Sequence, residues 1–173
     1  SVVGDISILC KSAKEKAESL GFDAKIVTDS MTGEARDRAK EVCLYAVDLQ
    51  KKITVPTALI YGGETTVTVR GSGKGGRNQE MALTAAKFLD KTKGITFLSA
   101  GSDGTDGPTD AAGGIADGST AEIMKKNGVD IDSALKDNAS YNALKSSNSL
   151  LITGATGTNV NDLTLVLIDI NNT

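Results

Sequence analysis

Three apolar, strand-like runs in this chain are each followed by a polar block rich in glycine. The blocks cover residues 62–80, 101–114 and 153–162. In open α/β sheets, ligands bind in the crevice at strand ends, where such loops lie. Residues 101–117 place four aspartates among five glycines, so carboxylates are concentrated where the backbone is least restricted. The pattern favours a layered α/β fold whose polar loops bind a polar or phosphorylated ligand.

Helical and strand-like periodicities alternate along the chain. Asp5 is predicted to cap a helix that ends at Gly21. A strand over residues 24–28 and a second helix over 33–52 follow. The remaining predicted elements are strands at 57–61, 65–70, 95–100, 150–152 and 163–170, helices at 77–89 and 119–128, and two short helices that start at Asp132 and Ser140.

We therefore expect one α/β domain over residues 1–173, with helices layered on a mixed β-sheet. The length of 173 residues suits a single core, and the 3% of aromatic residues predicts a core of small aliphatic side chains. Residues 1–55 are predicted to form a βαβα segment that leads into a core over 56–170. Residues 65–70 alternate polar and apolar side chains, so Gly62 and Gly63 are predicted to turn the chain into one antiparallel hairpin.

Composition disfavours several functional classes. The formal net charge of −3, with both signs interleaved, provides no basic surface for nucleic acid. No apolar run approaches the length of a membrane span, and the absence of histidine excludes Ser-His-Asp chemistry and histidine zinc sites. Cys10 and Cys43 are predicted to be buried free thiols, which fits a reducing cytoplasm. Because Ser1 is not a methionine, we expect a partial or processed chain.

A glycine motif precedes the helix predicted to start at residue 77. Residues 71–76 satisfy the G-x-G-x-x-G pattern of dinucleotide-binding loops. The preceding strand alternates and belongs to a predicted hairpin, whereas a dinucleotide-binding strand is buried and parallel, so the motif is weak evidence. A Walker A loop is excluded because Gly75 follows Lys74 and position 68 is Thr68.

The residues after these glycines form a candidate anion site. Arg77, Asn78 and Glu80 lie at the start of a predicted helix, near the positive end of its dipole. An anionic substrate would bind there. The alternative is that Arg77 is solvated and Glu80 only caps the first turn. Glu64, after Gly63, is either a ligand or a hairpin residue, and the sequence leaves both interpretations open.

Asp103, Asp106 and Asp110 offer hard oxygen ligands in a loop bent by glycine and proline. Such ligands suit a Mg²⁺ ion that keeps its waters and bridges phosphates. The same carboxylates could accept the proton of a substrate hydroxyl. The alternative is a set of Asx-turns with a helix cap at Asp110. EF-hand spacing is absent.

The third block clusters hydrogen-bonding side chains just before the last strand. They could bind hydroxyls or phosphate oxygens. Turn formation accounts equally well for Gly157 and Asn159. The cluster contains Thr156, Thr158, Asn159, Asn161 and Asp162.

Taken together, these blocks strongly resemble the MOFRL domain of type 2 glycerate kinases. The resemblance covers residues 56–170. The earlier stretch, with Ser30 and residues 33–36, resembles the segment that links this domain to the N-terminal part of the family. The matching segments, in order, are residues 62–67, 75–80, 101–113 and 156–163.

The resemblance implies ATP-dependent and Mg²⁺-dependent phosphorylation of D-glycerate to 2-phosphoglycerate. The family enzyme is cytoplasmic, has two domains and binds its substrates, a hydroxy acid and a nucleotide, in the cleft between them. The large N-terminal domain is missing from this chain. A chain that carries only one wall of the cleft is expected to be inactive alone.

Residue roles follow from the resemblance as hypotheses. Arg77 would neutralise carboxylate or phosphoryl charge, and Asp103 and Asp106 would act with it in catalysis. Asp103, Asp106 and Asp110 would hold the metal. The expected substrate-binding residues are Gly63, Glu64, Gly76, Asn78, Glu80, Thr156, Asn159 and Asp162.

The sequence leaves two other functions open. The loops could serve a non-catalytic module for ligand binding or oligomerisation, and an exposed strand at residues 65–70 would allow a homo-oligomer by pairing with another chain. The third interpretation is an NAD(P)-dependent hydroxypyruvate reductase, a name that has also been attached to this family.

Overall fold

The structure is a computed structural model that describes residues 5–170. The predicted first strand, at residues 1–4, lies outside the described residues. Helices and strands alternate in the first half of the chain, as the periodicity predicts. The helices are α1 (Ile6–Ser19), α2 (Ala35–Gln50), α3 (Arg77–Phe88), α4 (Thr120–Lys126), α5 (Ile131–Lys136) and α6 (Ser140–Ser146), and the strands are β1 (Asp23–Met31), β2 (Thr57–Gly63), β3 (Ile95–Gly101), β4 (Gly113–Asp117), β5 (Leu150–Leu151) and β6 (Asp162–Ile168).

The strands form one sheet in the order β1-β2-β6-β3-β4-β5. β1 and β2 are parallel, and the other neighbouring pairs are antiparallel. The predicted mixed sheet is therefore confirmed, and so is the central position of the last strand. In its register, Asp162 faces Gly63 on one side and Gly101 on the other, which brings two of the polar blocks to the same end of the sheet.

Helices cover both faces of the sheet. Alternate side chains of β2 enter two clusters: Ala58 and Ile60 pack with α1, whereas Leu59 packs with α2 and α3. The cluster beneath α2 and α3 also contains Phe97 and Val166, both fully buried. A smaller apolar cluster joins α3 to α4, α5 and α6. The result is a three-layer arrangement whose core is built mainly of small aliphatic residues, as the composition predicts.

The predicted hairpin is wrong. Gly62 and Gly63 continue β2, and residues 65–70 form no strand. Thr66 makes only an isolated parallel bridge with Glu34. The backbone N–H groups of Arg70 and Gly71 donate to the Asn138 side chain instead, at 2.7 and 3.0 Å. The strand proposed for pairing with another chain is therefore not formed.

β4 lies in a stretch whose sequence predicted a loop. It pairs with β3, and its glycines permit a close approach: a Cβ at Gly113 would lie 1.8 Å from the carbonyl oxygen of Ser99. The predicted cap at Asp5 is confirmed, since its carboxylate accepts from the Ser7 N–H at 3.1 Å. α5, in contrast, is capped by Asp130 and not by Asp132.

Cys10 and Cys43 are buried free thiols, as predicted. Burial raises the pKa of the Cys43 thiol to about 12. Within residues 5–170, the longest apolar helical stretches fall short of what a bilayer crossing requires.

Candidate functional site

The end of β2, the end of β3 and the start of β6 meet at one end of the sheet, next to the first turn of α3. Gly63 and Gly101 flank Asp162 in the sheet register, and Arg77 opens the helix beside them. Three segments far apart in sequence therefore place charged side chains together. We call this group the polar edge: Glu64, Arg77, Asp103 and Asp162.

Arg77 is held in a fixed orientation by Asp162. Its Nε lies 2.5 Å from one carboxylate oxygen of Asp162, and its Nη2 lies 2.9 Å from the other. This two-point hydrogen bond raises the pKa of the guanidinium, against an opposing effect of burial. The remaining nitrogen, Nη1, lies 3.4 Å from the exposed carboxylate of Glu64. The guanidinium is therefore oriented at one end and weakly paired at the other.

Glycines shape the surroundings of this ion pair. A Cβ at Gly101 would lie 2.5 Å from the carbonyl oxygen of Thr105, 3.2 Å from Asp103 Oδ1 and 3.7 Å from Asp162 Oδ1, so glycine lets the following loop fold back close to this strand end. Gly63 has a φ of +143°, and a Cβ there would lie 2.2 Å from the carbonyl oxygen of Met31. Gly63, which the sequence predicted as a substrate-binding residue, and Gly101, which it did not, thus both shape the site through close approaches of the backbone.

Asp106 caps α3 from a distant part of the chain. Its buried carboxylate accepts from the backbone N–H groups of Asn78 at 3.1 Å and Gln79 at 2.9 Å, and from both of their side-chain amides. Burial raises the pKa of this carboxyl, although the hydrogen bonds oppose the shift. A Cβ at Gly76 would lie 2.4 Å from this carboxylate. Asp106 thus occupies N–H groups that the sequence assigned to a substrate anion.

Asn78 connects the helix cap to the sheet. Its Nδ2 donates to Asp106, and its Oδ1 accepts from Ser99 Oγ at 2.7 Å. Ser99 Oγ lies 3.0 Å from Thr164 Oγ1 on the neighbouring strand. Sequence reasoning named Asn78 and Gln79 at the start of the helix but missed Ser99 and Thr164. Thr164 could have been found, because it is the one hydroxyl residue of the largely apolar β6, whereas β3 contains Thr96 as well as Ser99.

The third polar block folds against the second. The backbone N–H of Thr156 donates to the carbonyl oxygen of Asp103 at 3.2 Å, and its hydroxyl donates to the carbonyl oxygen of Ser102. Asn159 accepts from the Asn161 N–H at 3.4 Å, which is a local turn contact. The half-buried Asp103 accepts from the Thr105 N–H at 3.0 Å. Thr156 therefore supports the loop that carries Asp103, whereas the Asn159 side chain makes a local contact.

The three aspartates of the second block have separate partners. Asp106 caps α3, Asp103 lies beside Gly101, and the exposed Asp110 accepts from the Tyr141 hydroxyl at 2.8 Å. Within the described part of the chain, no group of three histidine, cysteine, aspartate or glutamate side chains is arranged to hold a metal ion. A joint three-aspartate metal site is therefore not formed, and the role of any single aspartate stays a prediction.

Glu80 lies outside the polar edge. Its buried carboxylate pairs with Arg36, whose Nε donates at 2.5 Å, and accepts from Asn138 Nδ2 at 3.3 and 3.4 Å. Burial raises the pKa of this carboxyl, and the hydrogen bonds and charge of Arg36 oppose the shift. We call this group the internal clip: Arg36, Glu80 and Asn138.

Residues 57–162 match the MOFRL family. The chain belongs to the MOFRL family. The resemblance found in the sequence is thereby confirmed. Over 170 residues this MOFRL chain is 52% identical to a D-glycerate 2-kinase of Thermotoga maritima, and over 171 residues it is 40% identical to a glycerate 2-kinase of Pyrococcus horikoshii.

The fold agrees with a solved structure of the family. The crystal structure of the Thermotoga maritima glycerate kinase superimposes with a TM-score of 0.93, covering 95% of this chain and 41% of that one. The sequence matches cover 96% of this chain, 41% of the Thermotoga protein and 39% of the Pyrococcus protein. The MOFRL chain thus spans about two-fifths of the length of these relatives.

Proposed function

We propose that this MOFRL chain is the C-terminal part of a glycerate 2-kinase, which transfers a phosphoryl group from ATP to D-glycerate and forms 2-phosphoglycerate. The names of its relatives support the reaction, and the polar edge supports the place of binding. The observation that carries the proposal is the arrangement of Arg77, oriented by Asp162 and only weakly paired with Glu64.

Arg77 is suited to bind the negative charge of a substrate. The Glu64 carboxylate is 54% exposed and lies 3.4 Å from Nη1, so this contact is a solvated ion pair that contributes at most about 1 kcal/mol. A glycerate carboxylate or a phosphoryl oxygen would displace Glu64 and pair with a guanidinium that is already positioned. Phosphoryl transfer relies mainly on such positioning and charge stabilisation.

Asp103 is the aspartate that best fits the metal or proton role. It is half-buried, and its Oδ1 lies near Gly101 at the end of β3, as does Asp162 Oδ1. Mg²⁺ is usually held by one or two carboxylates, with waters and phosphate oxygens as further ligands, so Asp103 would hold it together with the nucleotide. When bound, Mg²⁺ would neutralise charge on the phosphates. Asp106 would act as a positioning residue, because α3 uses both of its carboxylate oxygens.

The other wall of the cleft would come from an N-terminal domain. The relatives are more than twice as long as the match, which supports this part of the proposal. The N-terminal domain would complete the nucleotide and glycerate sites, so we expect the MOFRL chain alone to be inactive. We also propose a cytoplasmic location, which the free buried thiols support.

The test is a glycerate kinase assay of the full-length enzyme with its N-terminal domain. Arg77→Ala should lower kcat/KM by about 100-fold, the usual effect of removing one charge-stabilising group. Arg38→Ala is the matched control, because the one ion pair of Arg38 within residues 5–170 is with the exposed Glu41 one turn away, at 2.9 Å. Phosphorus NMR should identify 2-phosphoglycerate as the product.

Three outcomes would count against the proposal. Unchanged phosphorylation by Arg77→Ala would remove the role of Arg77. NAD(P)H-dependent reduction of hydroxypyruvate without phosphoryl transfer would favour the reductase. Binding of neither ATP nor glycerate by the full-length enzyme, together with stable self-association in sedimentation, would favour the non-catalytic module.

A further inference from the structure

A second concave surface lies in the helical layer, away from the polar edge. It is a groove of about 480 Å³ between α2, α3 and α5, within the size range of small-ligand sites. No motif of the sequence analysis pointed to it. We call it the basic groove, and the residues that matter for its chemistry are Lys40, Arg70, Thr84, Phe88 and Lys136.

The groove is positively charged in a protein of net charge −3. Its lining holds five cationic side chains and two carboxylates. Arg36 is neutralised by Glu80, and Lys87 pairs with Asp132 at 2.5 Å. The other three cations, Lys40, Arg70 and Lys136, form no ion pair with any carboxylate among residues 5–170. The second carboxylate of the lining, Asp37, also forms no ion pair among residues 5–170 and offsets one of these cations, so the basic groove carries a net positive charge.

Thr84, which lines the groove, carries a buried and unpaired polar group. The residue is 2% exposed, and its hydroxyl has no hydrogen-bond partner among the described residues. A buried hydroxyl without a partner costs about 1–3 kcal/mol, and an oxygen of a bound ligand would remove that cost. This observation is independent of the charge and points to a ligand.

The cations are held by the fold near the groove. The backbone N–H of Arg70 donates to Asn138 Oδ1 at 2.7 Å, which anchors the residue, and its guanidinium forms no ion pair with a carboxylate of residues 5–170. Lys40 Nζ lies 5.6 Å from the ring centroid of Phe88, so the ring holds the ammonium group at the groove wall. Arginine guanidinium groups and lysine ammonium groups both bind phosphate oxygens.

We propose that the basic groove binds a small phosphorylated anion at a site separate from the polar edge. Arg70, Lys40 and Lys136 would neutralise the anion, and the Thr84 hydroxyl would hydrogen-bond one of its oxygens. Arg77 and Thr84 are seven residues apart on α3, which corresponds to about 10 Å along the helix. Two anions can therefore bind along the same helix without sharing a ligand.

The test is calorimetric titration of the 173-residue MOFRL chain with pyrophosphate and with inorganic phosphate. Arg70→Ala and Lys136→Ala should each weaken pyrophosphate binding by about 5-fold, the scale of a partly exposed charged hydrogen bond. Lys11→Ala is the matched control, since Lys11 is an exposed lysine on α1 outside the groove. Arg77→Ala should retain binding to the groove, which separates this result from the proposed kinase site.

Thr84→Val gives a second, independent measurement. Because it removes a buried hydroxyl without a partner, this variant should be at least as stable as the wild type in urea, yet bind pyrophosphate more weakly. Three results would overturn the proposal: no binding heat with either anion, an equal loss in Lys11→Ala and Arg70→Ala, or loss of binding only in Arg77→Ala.

Discussion

The polar edge and the internal clip both pair a partly exposed arginine with a buried carboxylate beside α3, but only the polar edge adds an exposed second carboxylate. Arg77 is 33% exposed and Asp162 is 7% exposed, and in the clip Arg36 is 27% exposed and Glu80 is 3% exposed. The second partner of Arg77, Glu64, is 54% exposed, whereas the second contact of Arg36 is a backbone carbonyl oxygen of α5. The two groups therefore differ in the second partner of the arginine, which is accessible to water in the polar edge and part of the fold in the internal clip.

The internal clip connects three parts of the fold. Arg36 on α2 pairs with Glu80 on α3 and also donates to the carbonyl oxygen of Leu135 on α5. Asn138 then accepts from the backbone N–H of Arg70, in the loop that leads to α3. The clip therefore fixes the glycine-rich loop that precedes Arg77. Its contribution to function would be indirect, through the position of that loop.

The largest effect is expected from removing the clip carboxylate. Glu80→Ala leaves Arg36 without its partner in a partly buried site, so we expect a loss of about 3 kcal/mol in the free energy of unfolding, measured with urea. Glu122→Ala is the control, because Glu122 belongs to an exposed pair with Lys126 and its loss should have no measurable effect. Equal stability of the two variants would remove the distinction between buried and exposed pairs.

A smaller effect is expected at the helix cap. Asp106→Asn keeps the side-chain shape but loses the negative charge and one acceptor at the start of α3, which should cost about 2 kcal/mol in the urea unfolding experiment. Asp110→Asn should be close to neutral, since Asp110 is exposed and, in the part of the chain that the structure describes, its side chain accepts from the Tyr141 hydroxyl alone. A neutral Asp106→Asn would show that the cap does not hold α3 in place.

The smallest expected effect is a pH dependence of stability that arises from Glu80 in the internal clip. Burial raises the pKa of the Glu80 carboxyl above its ordinary value of 4.5, so the native state holds more protons than the unfolded state just above that pH. The stability that protonation of the buried Glu80 carboxyl adds to the native state is therefore complete below pH 4.5. It is lost as the pH rises through the pKa that Glu80 has in the native state. Relative to Glu80→Gln, the wild type should lose stability over this range in urea unfolding. A difference that stays constant or grows with pH would contradict the raised pKa.

The sequence predicted the sheet class and the helices α1 to α3, because their periodicities are local and strong. The predictions failed where contacts with side chains from distant segments determine the backbone conformation. Residues 65–70 alternate like a strand, yet Asn138 takes the N–H of Arg70. In β4, Gly113 and Gly114 lack the side chains that mark a strand, although the sheet needs glycine at Gly113 for the close approach to Ser99.

The candidate site, like the fold, was predicted only in part from the sequence. The loops at strand ends were visible in the sequence, and the structure brings Glu64, Arg77 and Asp162 together as predicted for strand-end blocks. The sequence could not show that Asp106 faces the N–H groups of α3, since the partners are 27 and 28 residues apart. It also could not show that Glu80 is buried, because this depends on the packing of Arg36 on another helix.

The proposed function depends most on Arg77 as the anion-binding group of the polar edge. The most direct measurement is calorimetric titration of the full-length enzyme with D-glycerate, in the wild type and in Arg77→Ala. We expect heat of binding in the wild type and its loss in the variant. Because Arg77→Ala leaves the buried Asp162 carboxylate without its partner, a loss of stability is expected as well, and the titration is made where circular dichroism shows that both proteins are folded. Equal binding of D-glycerate by both proteins would contradict the proposal.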